Sequence, residues 1–203
     1  MPQRPFKPVG GSKIHMSNPE KQYHRDGLPV DEERLPYSGD IKFEDALGYL
    51  AQVAFEHKGE EPIVVSLFGT DNTNKARFTT ELIKKVFYKD PGRRISAYGI
   101  EDGSKKQFAK FEEFRKEHKD FKFSMLVWET DTNAPPDGES AVYLKRFPDT
   151  LIYLYDPKQG KRWNRQAMLA HFLEVRKKIA EKFGVPYEEP EFLIVQSPEA
   201  GVK

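Results

Sequence analysis

A chain of 203 residues suffices for one domain of ordinary size with an appendage. Its 33 basic and 32 acidic residues leave a net charge of +1, so no whole-molecule field draws it onto nucleic acid or anionic lipid. The absence of cysteine removes disulfides, thiolate catalysis and cysteine-based metal sites together, and no apolar run reaches the roughly 18 residues that span a bilayer.

Residues 1–40 form one compositional unit, with Pro2, Pro5, Pro8, Pro19, Pro29 and Pro36 and few apolar side chains. Such a segment cannot bury enough surface to fold alone. It predicts an extended or disordered arm ahead of an α/β domain over residues 41–203. Phe6, Ile14, Met16, Tyr23, Leu28, Val30 and Tyr37 are spaced as anchors of an arm that lies on other protein subunits. Residues 1–19 lack acids and carry Arg4, Lys7 and Lys13. A mitochondrial or other organellar presequence shares that bias, but Pro2, Pro5 and Pro8 break the amphipathic helix it needs. No apolar signal-peptide core is present, so the expected location is intracellular, free or complex-associated.

From residue 43 the pattern is regular. "FEDALGYLAQVAFEH" places Phe43, Ala46, Leu47, Leu50, Val53 and Ala54 on one helical face. "PIVVSLF" is wholly apolar, as a strand buried on both faces requires. "NKARFTTELIKKVFYKD" carries Phe78, Leu82 and Val86 at helical spacing, and "DPG" ends it. "RRISAYGI" reads as a strand. "SKKQFAKFEEFRKEHKD" reads as a charged helix with Phe108, Phe111 and Phe114 along one side and Ser104 as its cap. Next come a strand in "FKFSMLVWET", a short helix in "ESAVYLKRF" and a strand in "DTLIYLYDP". "NRQAMLAHFLEVRKKIAEKFGV" is the strongest helix, capped by Asn164 and ended by Gly184, and "EFLIVQS" is the last strand. Strands alternating with helices imply crossovers and a mostly parallel sheet. The predicted class is α/β, in three layers, with a central sheet of about five strands and flanking helices.

The loop "GTDNTNK" joins a buried strand to a helix, the place where such folds cradle phosphates. Thr70, Asp71, Asn72, Thr73, Asn74 and Lys75 are its candidate contacts. A P-loop needs glycines and ends in Gly-Lys-Ser/Thr, whereas this loop has only Gly69, so a capped helix start is the plainer reading. Asp71, Glu101, Asp102, Glu129, Asp131 and Asp156 fall at the carboxyl ends of strands, where oxygens could hold Mg²⁺. Strand-end loops are polar in any case. No two of His15, His24, His57, His118 and His171 have a ligand-like spacing. Lys161, Arg162, Trp163 and Arg165 make a small basic, aromatic patch, which reads as solvated charge more than as a nucleic-acid site.

"RFPDTLIYLYDPKQGK", with Pro148 ahead of an apolar strand, and "IVVSLFGTDNTNKARFTTELIKKVF" upstream resemble the halves of thioredoxin-like domains, in the manner of the peroxiredoxin-like branch. The resemblance spans roughly residues 60–175. It implies that Thr73 to Ala76 occupy the place of the family's Cys-x-x-Cys, that no redox chemistry remains, and that a further strand follows Gly160. A generic doubly wound sheet is the other reading. Together these features predict a non-catalytic structural subunit of a larger assembly, without cofactor, docking through its arm. The alternative is a Mg²⁺-dependent enzyme or binder of a nucleotide or phosphorylated small molecule at residues 70–75.

Overall fold

Four of the eight strands among the described residues, Ile63–Gly69, Lys122–Glu129, Thr150–Tyr155 and Glu191–Gln196, are runs of apolar residues suited to burial on both faces, and the fold buries them so. The computed structural model describes residues 30–31, 40–69, 74–98, 104–130, 137–156, 162–163 and 165–198. The elements in chain order are β1 (Val30–Asp31), β2 (Ile41–Lys42), α1 (Phe43–Glu56), β3 (Ile63–Gly69), α2 (Lys75–Lys89), β4 (Arg93–Tyr98), α3 (Ser104–Glu117), β5 (Lys122–Glu129), α4 (Asp137–Tyr143), β6 (Thr150–Tyr155), β7 (Arg162–Trp163), α5 (Arg165–Phe183) and β8 (Glu191–Gln196). Six strands form one sheet in the order β2-β8-β6-β3-β5-β4, and every pairing in it is parallel. The α/β class holds, with a sixth strand, β2, on the edge beside β8.

Alternate residues of the central strands serve the two faces. Val65 and Leu67 of β3 join Met125 and Val127 of β5 against Leu47, Leu50 and Ala54 of α1 and Phe78, Leu82 and Val86 of α2. On the other face Phe68, Leu151, Tyr153 and Ile194 pack against Met168 and Phe172 of α5. Val64, Leu126 and Trp128 form a third cluster beside Tyr143 and Leu144, next to α4. Of the helical faces read from the sequence in the first three helices, Val53 is partly buried, Phe114 stays exposed, the Phe108 side chain lies outside the described ones, and the rest are buried.

The sheet corrects the thioredoxin-like expectation. A strand after Gly160 should extend that register. Instead β6 lies between β3 and β8, parallel to both, and β7 pairs antiparallel with β1 in a separate two-residue ladder. Asp149 has its own use here. Its Oδ2 accepts from Val64 N at 2.7 Å, its N–H donates to Val64 O at 2.8 Å, and its C=O accepts from Glu191 N at 2.9 Å. The residue after Pro148 therefore seats the start of β6 between its two neighbours.

One polar pair crosses the α4–α5 packing. Arg176 is 1% exposed, and its Nη2 donates to Asp137 Oδ1 at 2.8 Å. Nη1 donates to Glu188 O at 3.0 Å, and the guanidinium lies 4.8 Å from the Phe147 ring centre. Asp137 is the partner that makes the burial of Arg176 tenable. No helix among the described residues is long and apolar enough to cross a membrane.

Candidate functional site

From β3 the chain runs to β4 on one side of the sheet, and from its neighbour β6 it runs to β8 on the other. Strand order therefore reverses between β3 and β6. In open α/β sheets the crevice at the carboxyl ends of such strands is where ligands bind. The β3–α2 junction stands at that reversal.

Its described residues hold unusual backbone. Gly69 has φ 152°, in a region that side-chain-bearing residues avoid. Asn74, directly before α2, is left-handed at φ 59°, ψ 30°. Asparagine tolerates that conformation better than most residues, though glycine adopts it at no steric cost. The carbonyl of Asn74 accepts from Phe78 N at 2.9 Å, opening the helix. Its Nδ2 donates to Ser197 Oγ at 2.9 Å, tying the junction to the segment after β8. No side chain caps α2 at this residue, and its first turn has no acid. An anion placed at that end meets the favourable end of the helix dipole.

Lys75 is the first residue of α2 and is 8% exposed. Its Nζ reaches back to the end of β3 and donates to Gly69 O at 3.1 Å. The spacing is now informative: Gly69, four residues, Asn74, Lys75, Ala76. A P-loop reads Gly, four residues, Gly, Lys, Ser or Thr. The first glycine and the lysine match, Asn74 adopts the backbone conformation the second glycine makes easy, and Ala76 lacks the hydroxyl. Counting glycines hid this register; the signal was the distance from Gly69 to Lys75.

Of the other loop candidates, Thr70, Asp71, Asn72 and Thr73 lie outside the described residues, as do Glu101, Asp102 and Asp131. Glu129 ends β5 half-buried, with Leu67 of β3 opposite it in the ladder. Asp156 follows β6, whose Leu154 pairs with Gly69. These two acids therefore flank β3 at the carboxyl end of the sheet. Among the described residues no three His, Asp or Glu side chains are grouped to hold a metal ion. His57 Nε2 lies 2.7 Å from Glu61 O, and the His118 ring lies tilted against Phe114, 4.2 Å between ring centres.

Of the arm, Val30 belongs to β1 and pairs with Trp163 of the same chain. Phe6, Ile14, Met16, Tyr23, Leu28 and Tyr37 lie outside the described residues. Arg162 and Trp163, from the expected basic patch, form β7.

No family model and no curated protein matches the chain. Among solved structures it is similar to one titled "Structure of a Possible Uridine Kinase from Bacillus stearothermophilus". The likeness covers 74% of this chain and 98% of that one, at 11% identity and a TM-score of 0.35. A likeness of that extent says nothing about activity. The all-parallel sheet excludes the thioredoxin-like register. With that resemblance goes the reading of the chain as a redox-inactive thioredoxin-like domain serving as a structural subunit.

Proposed function

We propose that the β3–α2 junction binds the phosphate groups of a nucleotide or another phosphorylated small molecule. One observation carries the reading: Lys75 stands six residues after Gly69, at a helix start, with its Nζ held against the Gly69 carbonyl. An arriving phosphate oxygen offers that ammonium a charged acceptor, and charge-assisted bonds are about twice as strong as neutral ones. Backbone amides at the start of α2 add donors with the favourable end of the helix dipole. Gly69 and the left-handed Asn74 give the backbone the sharp turns such a cradle requires. Ala76 offers no hydroxyl to a Mg²⁺ ion travelling with the phosphates, so Glu129 and Asp156 are the described groups that could reach one. The reading is one of binding; the described residues present no activated nucleophile there.

Thermal unfolding of the full chain with ATP, GTP, UTP, a sugar phosphate and pyrophosphate tests it. A ligand at a hundred times its Kd adds about 2.7 kcal/mol, a rise of roughly 5–10 °C for a chain of this size. Lys75→Met keeps the buried stem without the charge and is expected to weaken binding at least about tenfold, the loss of one charge-assisted contact. If no phosphate compound shifts the transition, or if Lys75→Met binds as the parent does, the reading fails.

A further inference from the structure

The near-zero net charge conceals an uneven distribution. Residues 84–94 and 114–122 hold nine of the 33 basic residues and only three of the 32 acidic ones. These 20 residues therefore carry +6, and the remaining 183 carry −5. The fold brings the two segments together at the amino end of the sheet, opposite the candidate site. Arg93 pairs with Lys122 in the β4–β5 ladder, and Lys122 N donates to Gly92 O at 3.1 Å. The Arg94 guanidinium bridges the segments, 4.0 Å from the Phe121 ring centre and 5.0 Å from that of Phe87.

A cavity of about 440 Å³ opens there, lined by Lys58, Arg115, Lys119 and Lys122 against Glu60 and Asp120. Arg115 is paired with Glu61 and Glu112, while Lys119 and Lys122 are exposed and make no ion pair among the described residues. Aromatic side chains stand beside the cations: Arg94 lies between Phe87 and Phe121, and Tyr88 packs on Phe87. Tyr88 is 78% exposed, and Phe87 and Phe114 are each 42% exposed. A group of large aromatics left this open next to basic side chains marks a surface suited to a partner.

We propose that this face binds single-stranded nucleic acid, with backbone phosphates against Lys119 and Lys122 and bases stacked on Tyr88 and its aromatic neighbours. The lysines alone would suit any polyanion. Flat rings alternating with them suit a chain that itself alternates anion and π-face. This inference does not depend on the phosphate site at the other end of the sheet.

Fluorescence anisotropy of labelled dT12 and U12 with the full chain, from 50 to 200 mM KCl, tests it. We expect Kd in the range of about 1–100 μM at the low end of salt, with a log–log salt slope of about −2 to −3, as three to four phosphate contacts give. Charge reversal in Lys119→Glu with Lys122→Glu should weaken binding at least about tenfold and flatten the slope. Tyr88→Ala should weaken it about five- to a hundredfold and leave the slope unchanged. All three positions are exposed, so circular dichroism should show parental folding. Absence of binding at 50 mM KCl overturns the proposal. So does binding that neither variant alters, or displacement of the oligomer by free ATP at matched ionic strength. Loss with the charge variant but not with Tyr88→Ala, together with equal binding of polyglutamate, overturns it in favour of an acidic protein.

Discussion

Arg176→Ala is expected to destabilise the fold by about 3–5 kcal/mol, measured by urea unfolding of the full chain. The loss comes from what is left behind. Asp137 is buried, and Arg176 is the cation that faces it. Removing that cation strands a carboxylate out of water and also frees the Glu188 carbonyl that Nη1 had satisfied. Burial already raises the Asp137 pKa above the ordinary 3.8, outweighing the attraction of Arg176. The sign of the pH effect follows. A carboxyl whose pKa is raised by folding binds its proton more tightly in the native state. Its contribution to stability is therefore highest below about 3.8 and is lost as pH rises through the elevated value. Without Arg176 the pKa rises further, so the gap between variant and parent should narrow as pH falls from 7 toward 4. Replacing both partners, Arg176→Met with Asp137→Leu, should be near neutral or stabilising, because it removes two desolvated charges together. A loss under about 1 kcal/mol for Arg176→Ala would show that the pair is not held in a dry interior.

Ala76→Thr is expected to make nucleoside triphosphate binding respond to Mg²⁺ by at least about tenfold, against less than about threefold in the parent. Position 76 is exposed in the first turn of α2, so the added hydroxyl meets no core packing. The substitution costs about 0.5 kcal/mol of helix propensity, too little to obscure the effect. In the P-loop spacing this is the residue whose hydroxyl holds the ion. Calorimetric titration with Mg²⁺ and with EDTA measures it. If Lys75→Met abolishes binding while Ala76→Thr gains no Mg²⁺ response, phosphate does bind at the lysine, but the loop does not follow the P-loop register.

The long elements were legible because their periodicities are unambiguous. "IVVSLF" and "LIYLY" have no polar alternation and could only be interior strands of a parallel sheet, and Phe78, Leu82 and Val86 repeat at the helical period. The two-residue strands β1, β2 and β7 were not legible, since a pair of residues has no period. At the candidate site the loop's location was read correctly, but its chemistry was judged by composition. Asn74 does not look like a glycine substitute until its backbone is seen to be left-handed, and Lys75 does not look like a buried residue until its Nζ is seen on Gly69. The thioredoxin-like resemblance failed for a related reason. Strand, loop and helix lengths are shared among α/β folds, while strand direction and order depend on which strands pair.

By itself the sequence determined the class, the buried faces of the strands and helices, and the exclusion of thiol chemistry, because each follows from residue type and local spacing. Only the tertiary structure decided that β6 lies parallel between β3 and β8, that Arg176 finds Asp137, and that two basic segments 20 residues apart share one face. Those are long-range pairings, chosen by the packing free energy of the whole chain and carried by no single stretch of it.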